Sequence, residues 1–193
     1  MIALAATSPL WLATRGAGIV ALLLLTVTLV LGVADVKRWR APGWPRFVVD
    51  AIHRGASLLS ILFVALHVAT TVLDGYVAIG WLDALIPFAS PYETFWVGLG
   101  TVAFDILLLL GLSGLLRQRV GHRTWRAIHW SAYGCWPIAL VHALGTGSDA
   151  ATPWMLAVAA LCALAVAGAV ALRVGGVGGA GGGRAGIGHG AGA

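Results

Sequence analysis

Residues 53–67 read HRGASLLSILFVALH and residues 129–142 read HWSAYGCWPIALVH, two apolar segments that each begin and end in histidine. The histidines are 14 residues apart in the first segment and 13 in the second. Both segments lie inside longer apolar runs, and the whole chain shares that character. Hydrophobic residues make up 60% of the 193 residues and charged residues 10%, where a soluble domain carries about 25% charged. A chain of this size could not hide so much apolar surface from water, so its surface must face lipid. The net charge of +5 does not indicate a nucleic-acid surface. The basic residues form short clusters between apolar runs, which is how a membrane protein orients itself. Cys135 and Cys162 both sit in apolar stretches, so no disulfide framework is expected. Residues 1–14 lack a basic leading region and Arg15 follows the apolar residues, so no cleaved leader is expected.

A helix needs about 20 mostly apolar residues to cross the hydrocarbon core. Such runs occur at 10–34, 47–73, 94–116, 124–145 and 153–173, which predicts an all-α bundle of five transmembrane helices over residues 1–174. Turn chemistry separates them at Ala41-Pro42-Gly43, Pro87 to Pro91, Arg119-Val120-Gly121 and Gly145-Thr146-Gly147. Residues 175–193 contain 11 glycines in 19 residues and no apolar period, so a disordered tail is expected there. The first loop holds Lys37, Arg38, Arg40 and Arg46, and the third holds Arg117, Arg119, Arg123 and Arg126. The second carries Asp74, Asp83 and Glu93 with no Lys or Arg, and the fourth only Asp149. Basic loops stay inside. A multi-pass protein of the cell membrane is expected, with its N-terminus outside, its C-terminus cytoplasmic and Arg173 as an inner anchor.

The second and fourth spans then run parallel, which brings His53 level with His129 near the inner face and His67 level with His142 near the outer face. Each pair can clamp one planar macrocycle between facing helices, so two stacked b-type haems are expected between the second and fourth spans. The two levels are about 20 Å apart at 1.5 Å per residue. Fourteen residues leave His67 about 40° from His53 on an ideal helix, whereas thirteen leave His142 about 140° from His129. Pro137 with Gly134 nearby predicts a distortion between Tyr133 and Pro137, with partial 3₁₀ character that restores a common face. The plainer alternative is that these are packing histidines, but four ionisable side chains matched in level within spans favour function. A structural metal site is disfavoured, because the levels are too far apart to share an ion and neither gathers a third strong ligand.

Paired histidines spaced 14 and then 13 on alternate spans resemble the ferric reductase-like transmembrane domain. That superfamily includes NADPH oxidases, ferric-chelate reductases and the haem subunit of the bacterial methionine sulfoxide reductase system. The resemblance covers residues 9–173 and implies bis-histidine haem iron, with His53 and His129 at the inner haem and His67 and His142 at the outer one. It implies electrons moving from inner to outer haem, and hence a membrane oxidoreductase that needs a separate electron-donor subunit. Two departures matter. No dinucleotide fingerprint follows a strand, so flavin is expected only on a separate partner, with quinol as the other possible donor. The sulfoxide-reductase haem subunits do not keep all four ligands and this sequence does, which points to the small stand-alone bacterial members.

Haem propionates need cations at the membrane faces. Arg54 and Arg126 flank the inner ligands, and Arg15 sits at the outer end of the first span against the charge rule; snorkelling to headgroups is the alternative for each. Asp105, midway along the third span, is expected to accept a hydrogen bond from a ligand imidazole, to take up protons, or to stay neutral on a hydroxyl such as Thr101 or Tyr133. The outer loop GYVAIGWLDALIPFASPYETF is expected as a lid over the outer haem, its acidic residues suiting cations such as ferric complexes. Trp130 and Trp136 lie between the haem levels, on the electron path or as bundle filler. Ala51-Ile52-His53 and Ala127-Ile128-His129 match, and Asp74 and Asp149 each follow a second histidine, which suggests a pseudo-two-fold arrangement. The leading expectation is electron transfer from a cytoplasmic-side donor to an outer acceptor: ferric chelate, oxygen or a redox protein. The alternatives are a haem donor for an extracytoplasmic redox or repair protein, and a non-redox transporter using intramembrane histidines.

Overall fold

A computed structural model of the chain describes residues 8–36, 46–75, 77–146 and 149–178. Among these residues the structure is helical and contains no strand. Its helices are α1 (Pro9–Val36), α2 (Arg46–Asp74), α3 (Thr94–Leu115), α4 (Arg117–Val120), α5 (His122–His129), α6 (Ala132–Thr146) and α7 (Pro153–Gly178). Four of them, α1, α2, α3 and α7, are long and apolar enough to cross a membrane. They coincide with the runs at 10–34, 47–73, 94–116 and 153–173.

The expected span at 124–145 differs. It is divided into α5 and α6 by a break at Trp130–Ser131, and the fifteen residues of α6 reach only about 22 Å. The break is tightened by amide bonds spanning three residues instead of four. Ser131 donates to the carbonyl of Ile128 (2.9 Å), Tyr133 to that of Trp130 (3.2 Å) and Gly134 to that of Ser131 (3.0 Å). The 3₁₀ character is therefore present, but it lies before the expected window of Tyr133 to Pro137. Pro137 itself sits inside α6. The break at Trp130–Ser131 lies nearly two turns before it.

Gly121, with φ of 76°, turns the chain from α4 into α5 in a region that β-carbon-bearing residues seldom occupy. At the other end, α7 continues to Gly178, four residues into the expected tail; residues 179–193 lie outside the described part. So do Lys37, Arg38, Arg40, the Ala41–Gly43 turn and Gly147.

α1 packs along α2, and α3 along α6, while α1 also meets α6 and α7. The buried centre has two patches. Leu22, Trp136 and Cys162 join α1, α6 and α7, and Ala103, Leu107 and Cys135 join α3 and α6 under Leu25, Ile61 and Val64. Trp136 is buried and donates from Nε1 to Thr26 Oγ1 (2.9 Å), whereas Trp130 is exposed. Hydroxyls in α2 bond back to their own helix: Ser57 to the His53 carbonyl (2.7 Å), Ser60 to Ala56 (2.8 Å) and Thr71 to His67 (2.7 Å). In lipid every polar group must find such a partner inside the protein, so these residues do not oppose a spanning helix.

Candidate functional site

The four intraspan histidines meet two by two. The rings of His53 and His129 have centroids 6.3 Å apart at 64° between planes, and those of His67 and His142 are 6.3 Å apart at 82°. α2 carries His53 and His67 on one face, as their fourteen-residue spacing requires. The broken α5–α6 segment does the same for His129 and His142 despite their thirteen-residue spacing. The break thus supplies the common face that an ideal helix would deny.

Each ring is also oriented. His53 Nδ1 hydrogen-bonds the Thr28 carbonyl (3.0 Å), His67 Nδ1 the Thr14 carbonyl (2.8 Å) and His142 Nδ1 the Trp96 carbonyl (2.8 Å). A carbonyl only accepts, so Nδ1 carries the proton and Nε2 keeps its lone pair. That is the tautomer of a histidine ready to ligate through Nε2.

A glycine stands four residues after each accepting carbonyl. A β-carbon on Gly18 would come 3.0 Å from His67 Nδ1, on Gly32 3.3 Å from His53 Cε1, and on Gly100 2.5 Å from His142 Cε1. These glycines let the ring approach the helix backbone closely enough to reach the carbonyl. They are not singled out by reading the histidines alone, although the signal is in the sequence: Gly18 and Gly32 are 14 apart, and so are Gly100 and Gly114. The fourth member of this pattern is not used. Gly114 has nothing within 4 Å of its β-position. His129 is instead stacked on Trp125 (4.9 Å, 21°), which the Arg117 guanidinium also approaches (4.3 Å).

The geometry tests what such pairs can hold. Two imidazoles on opposite sides of one ion, with bonds of about 2.0–2.1 Å and each nitrogen about 1.1 Å from its ring centre, would stand about 6.2–6.4 Å apart. Both pairs fall in that range. No group of three His, Cys, Asp or Glu able to hold an ion occurs among the described residues. At the outer level a cavity of about 370 Å³ opens between α1, α2, α3 and α6, lined by Gly18, His67, Gly100, Ala103, Leu107 and His142 among others. At the inner level Thr28 Oγ1 is buried without a hydrogen-bond partner, which suits a polar group on a bound molecule.

The remaining expected residues fall as follows. Arg15 and Asp149 line the outer cavity and form an ion pair, and the Arg15 guanidinium lies 4.3 Å from the Trp11 ring centre. Arg54 and Arg126 are exposed, and Arg126 reaches His122 Nδ1 (3.3 Å). Val77, Ile79, Ala84 and Tyr92 of the outer loop line the outer cavity. No hydrogen bond joins Asp105 to Thr101, Tyr133 or a histidine among the described residues. The Thr101 hydroxyl serves the Asp83 and Val97 carbonyls (3.0 and 3.3 Å), the Tyr133 hydroxyl pairs with Arg173, and the Nδ1 atoms of His53, His67 and His142 are on carbonyls. The reason is angular: nine residues at about 100° each put Asp105 on the opposite side of α3 from Trp96. No family model matches the chain, nor does any curated protein or solved structure.

Proposed function

We propose that the chain carries two b-type haems and passes electrons across the membrane. In this reading the five-span bundle is completed by α5 and α6 acting together as a broken fourth span. His53 and His129 would hold the inner haem, and His67 and His142 the outer one. The observation that carries the proposal is the pairing of four imidazoles at 6.3 Å in two levels, with Nδ1 tied to a backbone carbonyl in three of them. When bound, the haems supply one-electron carriers at two depths of the bilayer.

The protein's part is orientation and exclusion of water. The carbonyls of Thr14, Thr28 and Trp96 fix the ring planes and raise the basicity of Nε2. Leu107 and Ala103 keep the outer cavity apolar, and Arg15, held by Asp149, stands at its rim where a propionate would lie. Electrons come from a cytoplasmic-side flavoprotein or quinol and leave to an outer acceptor (ferric chelate, oxygen or a redox protein), in a ferric reductase-like oxidoreductase of the cell membrane. The N-terminus is outside and the C-terminus inside.

Dithionite-reduced spectra of the purified chain test this. The expected result is a b-type band with two haems per chain, falling to one in His67→Ala or His142→Ala. A colourless chain that moves protons or metal ions would sink the redox reading in favour of transport.

A further inference from the structure

Asp105 has no part in the proposed electron path, yet it is the twelfth of the 22 residues of α3 and so lies about 16 Å from either end. It has no hydrogen-bond or ion-pair partner among the described residues. A carboxyl at that depth is found facing a protein interior or paired, because lipid offers it nothing. Here it faces neither histidines nor core. Trp96, Gly100, Ala103 and Leu107, which line the site, cluster on the far side of the helix.

The face that Asp105 occupies is half covered. Toward the outer end the Phe88 ring lies where a β-carbon on Gly98 would be, and the Thr101 hydroxyl bonds the Asp83 carbonyl. That cover comes from the outer loop and is last seen one turn before Asp105. From there inward the same face presents Leu109, Leu112 and Leu116, all exposed. The sequence positions 105, 109, 112 and 116 advance by four, three and four, the spacing of a two-helix packing seam.

We infer that this seam is the interface between two copies of the chain, packed α3 against α3, with the two Asp105 carboxyls hydrogen-bonded across a two-fold axis. A protonated carboxyl donates and accepts at once, so it complements itself, which is what a symmetric contact demands of a residue on its axis. The leucines supply the packing that associates helices in lipid. One polar residue in an otherwise apolar seam fixes the register and the number of helices. The interface is independent of the haem reading and leaves both histidine levels untouched.

Oxidative cross-linking of the full chain in lipid nanodiscs tests it. Leu109→Cys is expected to form disulfide-linked dimers at least about tenfold more than Leu164→Cys, a more exposed position on α7; Cys135 and Cys162 are buried and stay silent. In vesicles, energy transfer between labelled chains on dilution with lipid should show Asp105→Leu weakening the dimer about tenfold. Asp105→Asn, whose amide also donates and accepts, should stay within about threefold of the native chain. Cross-linking of Leu109→Cys no greater than that of Leu164→Cys would overturn the inference, whether or not the Asp105 variants fold. So would an Asp105→Leu chain that dimerises as the native one does; the face would then belong to a different membrane helix or to lipid.

Discussion

The two histidine levels are matched in ring separation and unlike in how their rings are held. At the outer level both His67 and His142 bond a backbone carbonyl and lie against a glycine, and a cavity opens beside them. At the inner level only His53 is held in that way. His129 sits one helical segment earlier, on α5, and takes its orientation from the Trp125 ring beneath Arg117. The source of the difference is a single residue. α1, α2 and α3 all carry their pairs at a spacing of 14, and the α5–α6 segment carries its pair at 13. With one residue fewer and a break at Trp130–Ser131, His142 meets Gly100 while His129 leaves Gly114 open. An outer site set by main chain and an inner site set by side chains should respond differently to substitution.

The sharpest way to break the comparison is a pair of alanines. Gly100→Ala drives a methyl into the His142 ring, an overpacking of about 1–3 kcal/mol that would weaken binding of the proposed outer haem by about 5–150-fold. Gly114→Ala meets nothing and gains about 0.5–1 kcal/mol of helix stability. Haem titration and thermal melting of both variants read the contrast; equal effects would mean that α3 does not support the two levels differently. A smaller effect is expected of Trp125→Ala. Removing one aromatic contact of about 0.5–1.5 kcal/mol should loosen the inner haem and change its spectrum, with the outer haem unchanged. Smallest of all is Arg15→Gln. The ion pair with Asp149 is partly exposed and such pairs contribute about 0–1 kcal/mol. The melting temperature should fall by no more than about 2–4 °C, with both haems retained.

Much of this arrangement is legible in the chain itself. Spans one, two, three and five are long apolar runs, and no local feature competes with them. The histidine levels follow because fourteen residues is close to four turns, so depth and face agree in α2. The break in the 124–145 run is half legible: Pro137 announces a distortion, but the break falls at Trp130–Ser131, nearly two turns earlier. Asp105 shows what depth alone leaves out. Its level suits a ligand imidazole, and only its angle on α3 reveals that it looks the other way. The glycines escape for the opposite reason, since a glycine in an apolar helix reads as mere tolerance until the ring that needs its space is known.

Three of the imidazoles rest on main-chain oxygens, each on a helix carbonyl left accessible by the bare glycine one turn on. No codon change can delete a carbonyl. A survey of side-chain replacements at Thr14, Thr28 or Trp96 would therefore pass over the group that holds each ring, and the genetic vulnerability of the arrangement would surface at glycines that bear no functional atom of their own.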